Sequence, residues 1–121
     1  MNPLETVLMD DFRRQVMPLV ENLAAAARRY AITRHRFEPL LQAAADYSRV
    51  SCDWSLIGID VSELECCQGG PACGELCELL DAADGVYRAS QVHRSRERFD
   101  ETIEALGFRA YCYGEEVAQV G

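Results

Sequence analysis

The chain has 121 residues, of which 49% are apolar and 26% charged, and its formal net charge is −8. This composition is typical of one globular domain covering residues 1–121, and the negative charge argues against nucleic-acid binding. No segment approaches the roughly 20 consecutive apolar residues that span a membrane, and the first residues lack the basic start of a signal peptide, so we expect a soluble, cytoplasmic protein without a membrane partner.

The spacing of apolar residues predicts a long amphipathic helix at the start of the chain. They recur every three or four positions, as Leu4, Leu8, Phe12, Val16, Leu19, Leu23, Ala27 and Tyr30. Asn2 is suited to cap this helix and Pro3 to occupy its first turn. Pro18 falls inside the pattern, where it removes a backbone hydrogen bond, so we expect a bent helix or two helices.

A second helix is predicted from about Arg36 to Arg49, and a strand follows it. Cys52, Trp54 and Leu56 alternate with polar residues, and a second alternation, one residue out of phase, runs through Ile57, Ile59 and Val61. This pattern is typical of a strand with a bulge near Gly58.

Two further helices and a second strand are expected in the rest of the chain. Pro71 is suited to open a third helix that Gly85 ends or loosens, and Ser90 to cap a fourth that stops at Gly107. The aromatic-rich residues Phe108–Tyr113 predict a strand that pairs with Trp54–Ile59, followed by a loose tail over Gly114–Gly121. The sequence therefore predicts a mostly helical α+β fold, with about four helices packed on a short two-stranded β-sheet.

The negative charge is concentrated in one segment of the chain. Between Val50 and Tyr87 there are eight acidic side chains, no basic one, and five of the six cysteines. An acidic field attracts cations and Arg-rich protein surfaces, although a run of like charges is also typical of a solvated face. The predicted partner-binding residues in this segment are Glu75, Glu78, Asp81 and Asp84. The acids of the last helix, Asp100, Glu101 and Glu104 among them, are expected to pair with arginines of the same helix.

Four cysteines in this segment form a candidate metal site, namely Cys66, Cys67, Cys73 and Cys77. Residues four apart on a helix share a face, so Cys73 and Cys77 would offer two sulfurs together, and thiolates bind zinc and iron–sulfur clusters tightly. The spacing differs from the usual paired zinc knuckles, because two of the four cysteines are adjacent. Inert packing, a disulfide and thiol redox chemistry therefore remain open as alternatives.

Two functions are compatible with these residues. The first is a small non-catalytic regulatory, inhibitory or accessory protein that binds a partner with a basic surface, and whose Cys-rich segment holds a zinc ion or an iron–sulfur cluster. The second is a thiol-redox or metal-delivery protein that uses the cysteines themselves. No spacing of Cys, His and acidic residues selects a catalytic group, so we predict no catalytic residue.

Overall fold

The computed structural model describes residues 3–35, 37–59, 73–91 and 96–120. They form five helices: α1 (Pro3–Gln15), α2 (Met17–Thr33), α3 (Phe37–Ser55), α4 (Cys73–Gln91) and α5 (Arg96–Val120). Within these four ranges there is no strand.

Helices α1 and α2 meet at Val16, next to the proline that the sequence placed inside a helical pattern. Pro18 has no N–H to donate, and it occupies the first turn of α2, where none is needed. The Val16 carbonyl accepts from the N–H groups of both Leu19 and Val20, each at 3.0 Å, which starts the new helix. The prediction of a bent helix or two helices is confirmed.

The helices α2, α3, α4 and α5 form a ring in which each packs against its two neighbours. Helix α1 closes one end, where the Phe12 ring meets Trp54 of α3 edge to face with centroids 5.9 Å apart. One hydrophobic core unites buried side chains from all five helices, including Leu23, Leu40, Leu79, Leu80 and Leu106. Burying each leucine stabilises the fold by about 2 kcal/mol, so this core is the main source of stability.

The buried residue Ser48 joins α3 to α4. Its hydroxyl donates to the carbonyl oxygen of Asp84 at 2.8 Å and accepts from the N–H of Tyr87 at 3.2 Å. Because a buried hydroxyl is costly when it has no partner, these bonds let a polar residue lie inside the core.

The predicted two-stranded sheet is wrong, because the first strand begins in α3 and runs into the turn that follows it, and the second lies in α5. Cys52 and Trp54 belong to α3, and Phe108–Tyr113 lie within α5. Leu56 and Ile57, which the strand pattern required to be half-buried, are 84% and 65% exposed. The residues that are buried follow the helical period instead, as Tyr47, Ser48, Ser51 and Trp54 in α3 and Leu106, Ala110 and Tyr113 in α5. The strand position Val61 lies outside the described residues.

Two predicted helix ends are also wrong, since the helices continue further. Helix α3 runs past Arg49 to Ser55, and α5 includes Gly107 and the supposed tail as far as Val120. Helix α4 passes through Gly85, so of the two predicted effects of this glycine, ending the helix is excluded. The glycines of α5 are contact points between helices. A Cβ on Gly107 would lie 3.3 Å from the hydroxyl oxygen of Tyr30 in α2, and one on Gly114 would overlap the Cβ of Ala31. They allow α2 and α5 to approach closely, which a sequence pattern does not reveal.

Candidate functional site

The four acidic residues predicted to bind a partner lie on α4, but they do not share one face. They are spaced by three residues, so each is turned by about 60° from the one before, and the set winds halfway around the helix. Glu78 and Asp81 are exposed, whereas Glu75 and Asp84 are half-buried. Only the middle two acids therefore lie fully on the outer surface of α4.

Two of these acids form ion pairs within the chain. Arg109 of α5 lies 3.6 Å from Glu78, and Arg88 lies 3.6 Å from Asp84. The Oε2 atom of Glu75 and the Oδ1 atom of Asp84 are buried and accept no hydrogen bond from the described residues. Such partly exposed pairs contribute at most about 1 kcal/mol, but they reduce the charge that α4 offers to a partner.

The cysteines are divided between free thiols and a disulfide. Cys52 and Cys112 are free and half-buried, whereas Cys77 is disulfide-bonded. A disulfide was one of the alternatives left open for this cluster. Cys66 and Cys67 lie outside the described residues, and of Cys73 only the backbone, at the start of α4, is described. Among the described side chains no group of three or more Cys, His, Asp or Glu could hold a metal ion.

A disulfide sulfur is not the thiolate that a zinc ion or an iron–sulfur cluster needs. The predicted metal set Cys66, Cys67, Cys73 and Cys77 can therefore include Cys77 only in the reduced protein. Metal binding by these cysteines remains a prediction.

A polar cleft of about 320 Å³ lies between α3 and α4. It is lined by Ser51, Ser55, Asp81, Asp84 and Arg88, together with Gly58 and Ile59 of the turn after α3. The Nε of Arg88 donates to the sulfur of Cys52 at 3.2 Å. Carboxylates and a guanidinium share the cleft, so its charges largely satisfy one another.

The acids of α5 are expected to pair with arginines of the same helix, and this stays a prediction because the side chains of Arg94, Arg96 and Arg98 lie outside the described ones. Asp100, Glu101 and Glu104 are exposed and form no ion pair with a described side chain. Asp100 and Glu104 are four residues apart, so two like charges lie on one face, an arrangement that slightly destabilises an isolated helix.

An apolar groove of about 370 Å³ lies beside these acids, between α2, α3 and α5. Its lining is Tyr30, Phe37, Ile103, Glu104, Gly107 and Phe108. The rings of Tyr30 and Phe37 meet edge to face with centroids 5.6 Å apart, and Phe108 leaves 59% of its surface in solvent. Sequence reasoning missed this groove because it assigned Phe108 to a strand.

No described helix is long and apolar enough to cross a membrane. In comparisons with known proteins, no family model matches the chain, and neither a curated protein nor a solved structure matches it.

Proposed function

We propose that this protein is a small non-catalytic regulatory or accessory protein that binds a partner protein through acidic residues facing a basic surface. The observation that carries the proposal is the set of exposed carboxylates on α5, Asp100, Glu101 and Glu104, which have no ion-pair partner among the described side chains. Unpaired surface charges of one sign attract and orient a partner of the opposite sign.

The exposed acids of α4 supply a second, weaker part of the same charge. Glu78 and Asp81 lie on the outer surface, and the bond from Glu78 to Arg109 is long enough for a partner's arginine to compete with it. Glu75 and Asp84 are half-buried, so they attract a basic partner mainly through their long-range electrostatic field.

Thiol redox chemistry is a second candidate function, and the disulfide at Cys77 favours it. A thiolate that attacks the sulfur bonded to Cys77 forms a mixed disulfide with that sulfur, and the bond to Cys77 breaks, so that Cys77 leaves as a thiolate. In this alternative the acidic surface would serve only to select the redox partner.

The test begins with affinity capture on the immobilised protein and identification of the bound protein, which is then purified and titrated by calorimetry. We expect the double variant Asp100→Arg/Glu104→Arg to weaken binding about tenfold or more, and to reduce the loss of affinity on adding salt. Glu115→Arg is the matched control, because Glu115 is an exposed acid at the other end of the same helix.

A second arm reverses the charges of Glu78 and Asp81, and we expect a smaller loss of affinity there. If the α5 double variant remains folded by circular dichroism and binds as tightly as the wild-type protein, the proposed function is wrong. If Cys77→Ser abolishes a thiol redox activity that the charge variants retain, the redox alternative replaces the proposed function.

A further inference from the structure

We propose that the groove between α2, α3 and α5 is the docking site for a short amphipathic segment of the partner, which inserts a bulky apolar side chain and places an Arg or Lys beside Glu104. This inference rests on the proposed function and names the surface and the partner chemistry within it.

The floor of the groove is made by two aromatic rings that lie against a glycine. A Cβ at Gly107 would be 3.3 Å from the Tyr30 hydroxyl oxygen and 3.6 Å from Cε2 of Phe37. Since Gly107 has no side chain, both rings reach the backbone of α5, and the space above them stays open. The groove is therefore mostly apolar, with Glu104 at its side, and has room for an apolar side chain from another molecule.

One wall of the groove is a large apolar residue that the fold itself leaves in solvent. Phe108 is 59% exposed because Leu106 and Ala110, two residues away on either side, are buried, and such positions lie on the opposite side of a helix. Aromatic residues are the usual anchors of protein interfaces, because burying them removes much apolar surface from water. Phe108 and Ile103 on the same wall offer that surface to a partner.

The charge beside the groove identifies the kind of segment that fits it. Asp100, Glu104 and Phe108 are spaced by four, so two carboxylates and the aromatic ring lie along one strip of α5. Neither carboxylate has an ion-pair partner among the described side chains. An apolar residue flanked by Arg or Lys would fill the groove and neutralise the strip, whereas a segment with acidic flanks would be repelled.

The test uses the full chain and three fluorescein-labelled synthetic helical peptides in anisotropy titrations. The first has a leucine stripe flanked by arginines, the second has the same stripe flanked by glutamates, and the third has the arginines with serines in place of the leucines. We expect only the first to bind well, and Phe108→Ser to weaken it about tenfold or more. Leu56→Ser is the matched control, because Leu56 is also a large exposed apolar residue, 84% exposed against 59% for Phe108, and lies outside the groove.

Three other outcomes would contradict the proposed docking site. If Phe108→Ser and Leu56→Ser bind the first peptide equally well, charge alone drives capture, so the docking site is wrong while the proposed function stands. If no peptide binds the wild-type protein, the docking site is also wrong, and the capture experiment with Asp100→Arg/Glu104→Arg decides the function separately. If sedimentation shows a dimer that Phe108→Ser converts to a monomer, a second copy of the chain covers the groove instead.

Discussion

Gly114 of α5 lies so close to Ala31 of α2 that a Cβ at position 114 would occupy the same space as the Cβ of Ala31. The backbone carbonyl of Ala27 lies near the same point. The two helices touch here through backbone and methyl groups alone, and neither side has a flexible side chain that could move away.

The first prediction concerns this contact. Gly114→Ala should destabilise the protein by about 2 kcal/mol, because the helices must separate to admit the methyl group. Gly85→Ala in α4 is the control. Its Cβ would meet only Cγ2 of Thr102 at an ordinary 3.5 Å, so it should stabilise the protein by up to about 1 kcal/mol. Urea denaturation of both variants checks the opposite signs, and equal effects would contradict the close approach.

The second prediction concerns the buried hydroxyl between α3 and α4. Ser48→Ala should cost about 1 kcal/mol, since it removes the hydrogen bonds to Asp84 and Tyr87. Ser55→Ala should be nearly neutral, because that exposed hydroxyl only donates to the Cys52 carbonyl of its own helix. Thermal denaturation of the two variants gives the comparison, and a Ser55→Ala loss as large as that of Ser48→Ala would refute it.

The third prediction concerns Arg34, which ends α2 in the left-handed conformation with φ of 58°. Its guanidinium lies over the Tyr111 ring at 3.8 Å from the centroid, a contact that stabilises by about 0.5 to 1 kcal/mol at an exposed site. Arg34→Gly relieves the backbone strain but loses this contact, so its net effect on stability should be small.

A double-mutant cycle separates the two contributions. In a Tyr111→Leu background the cation contact is already gone, so Arg34→Gly should stabilise by about 1 kcal/mol. Chemical denaturation of the four proteins supplies the numbers, and an unchanged effect of Arg34→Gly in the two backgrounds would show that Arg34 and Tyr111 are not coupled.

The fourth prediction concerns the state of the cysteines. Free thiols are counted with a thiol reagent in denaturant, without reductant and with a chelator present. Cys77→Ser should raise the count by one, because it releases the sulfur to which Cys77 is bonded. Cys112→Ser should lower the count by one, because Cys112 is a free thiol. A decrease in both variants would mean that Cys77 is a thiol, and would restore it as a metal ligand.

The helical parts of the fold could be predicted where the pattern was local. Residues such as Phe12, Val16, Leu23 and Leu40 follow the helical period and are buried, and Pro18 marks the break between α1 and α2. The sheet was predicted wrongly because a short alternation of Cys52, Trp54 and Leu56 is also compatible with a helix whose last residues are exposed.

The rest depended on contacts between distant residues. Gly107 and Gly114 look like a helix end and a tail until Tyr30 and Ala31 are seen against them. The acids of α4 were correctly found on one helix, but their ion pair with Arg109 comes from another helix and cannot be read from spacing. The groove could not be predicted from the sequence for the same reason, since its walls come from three helices.

The contact of Gly114 with Ala31 has a remote consequence. Tyr30, the neighbour of Ala31, forms part of the aromatic floor against Gly107, so one interface between α2 and α5 sets both the helix spacing and the width of the opening. A methyl group added two turns away would widen or tilt that opening without touching any atom that lines it. The shape of the opening is thus set by the packing of α2 against α5, before any other molecule contacts it.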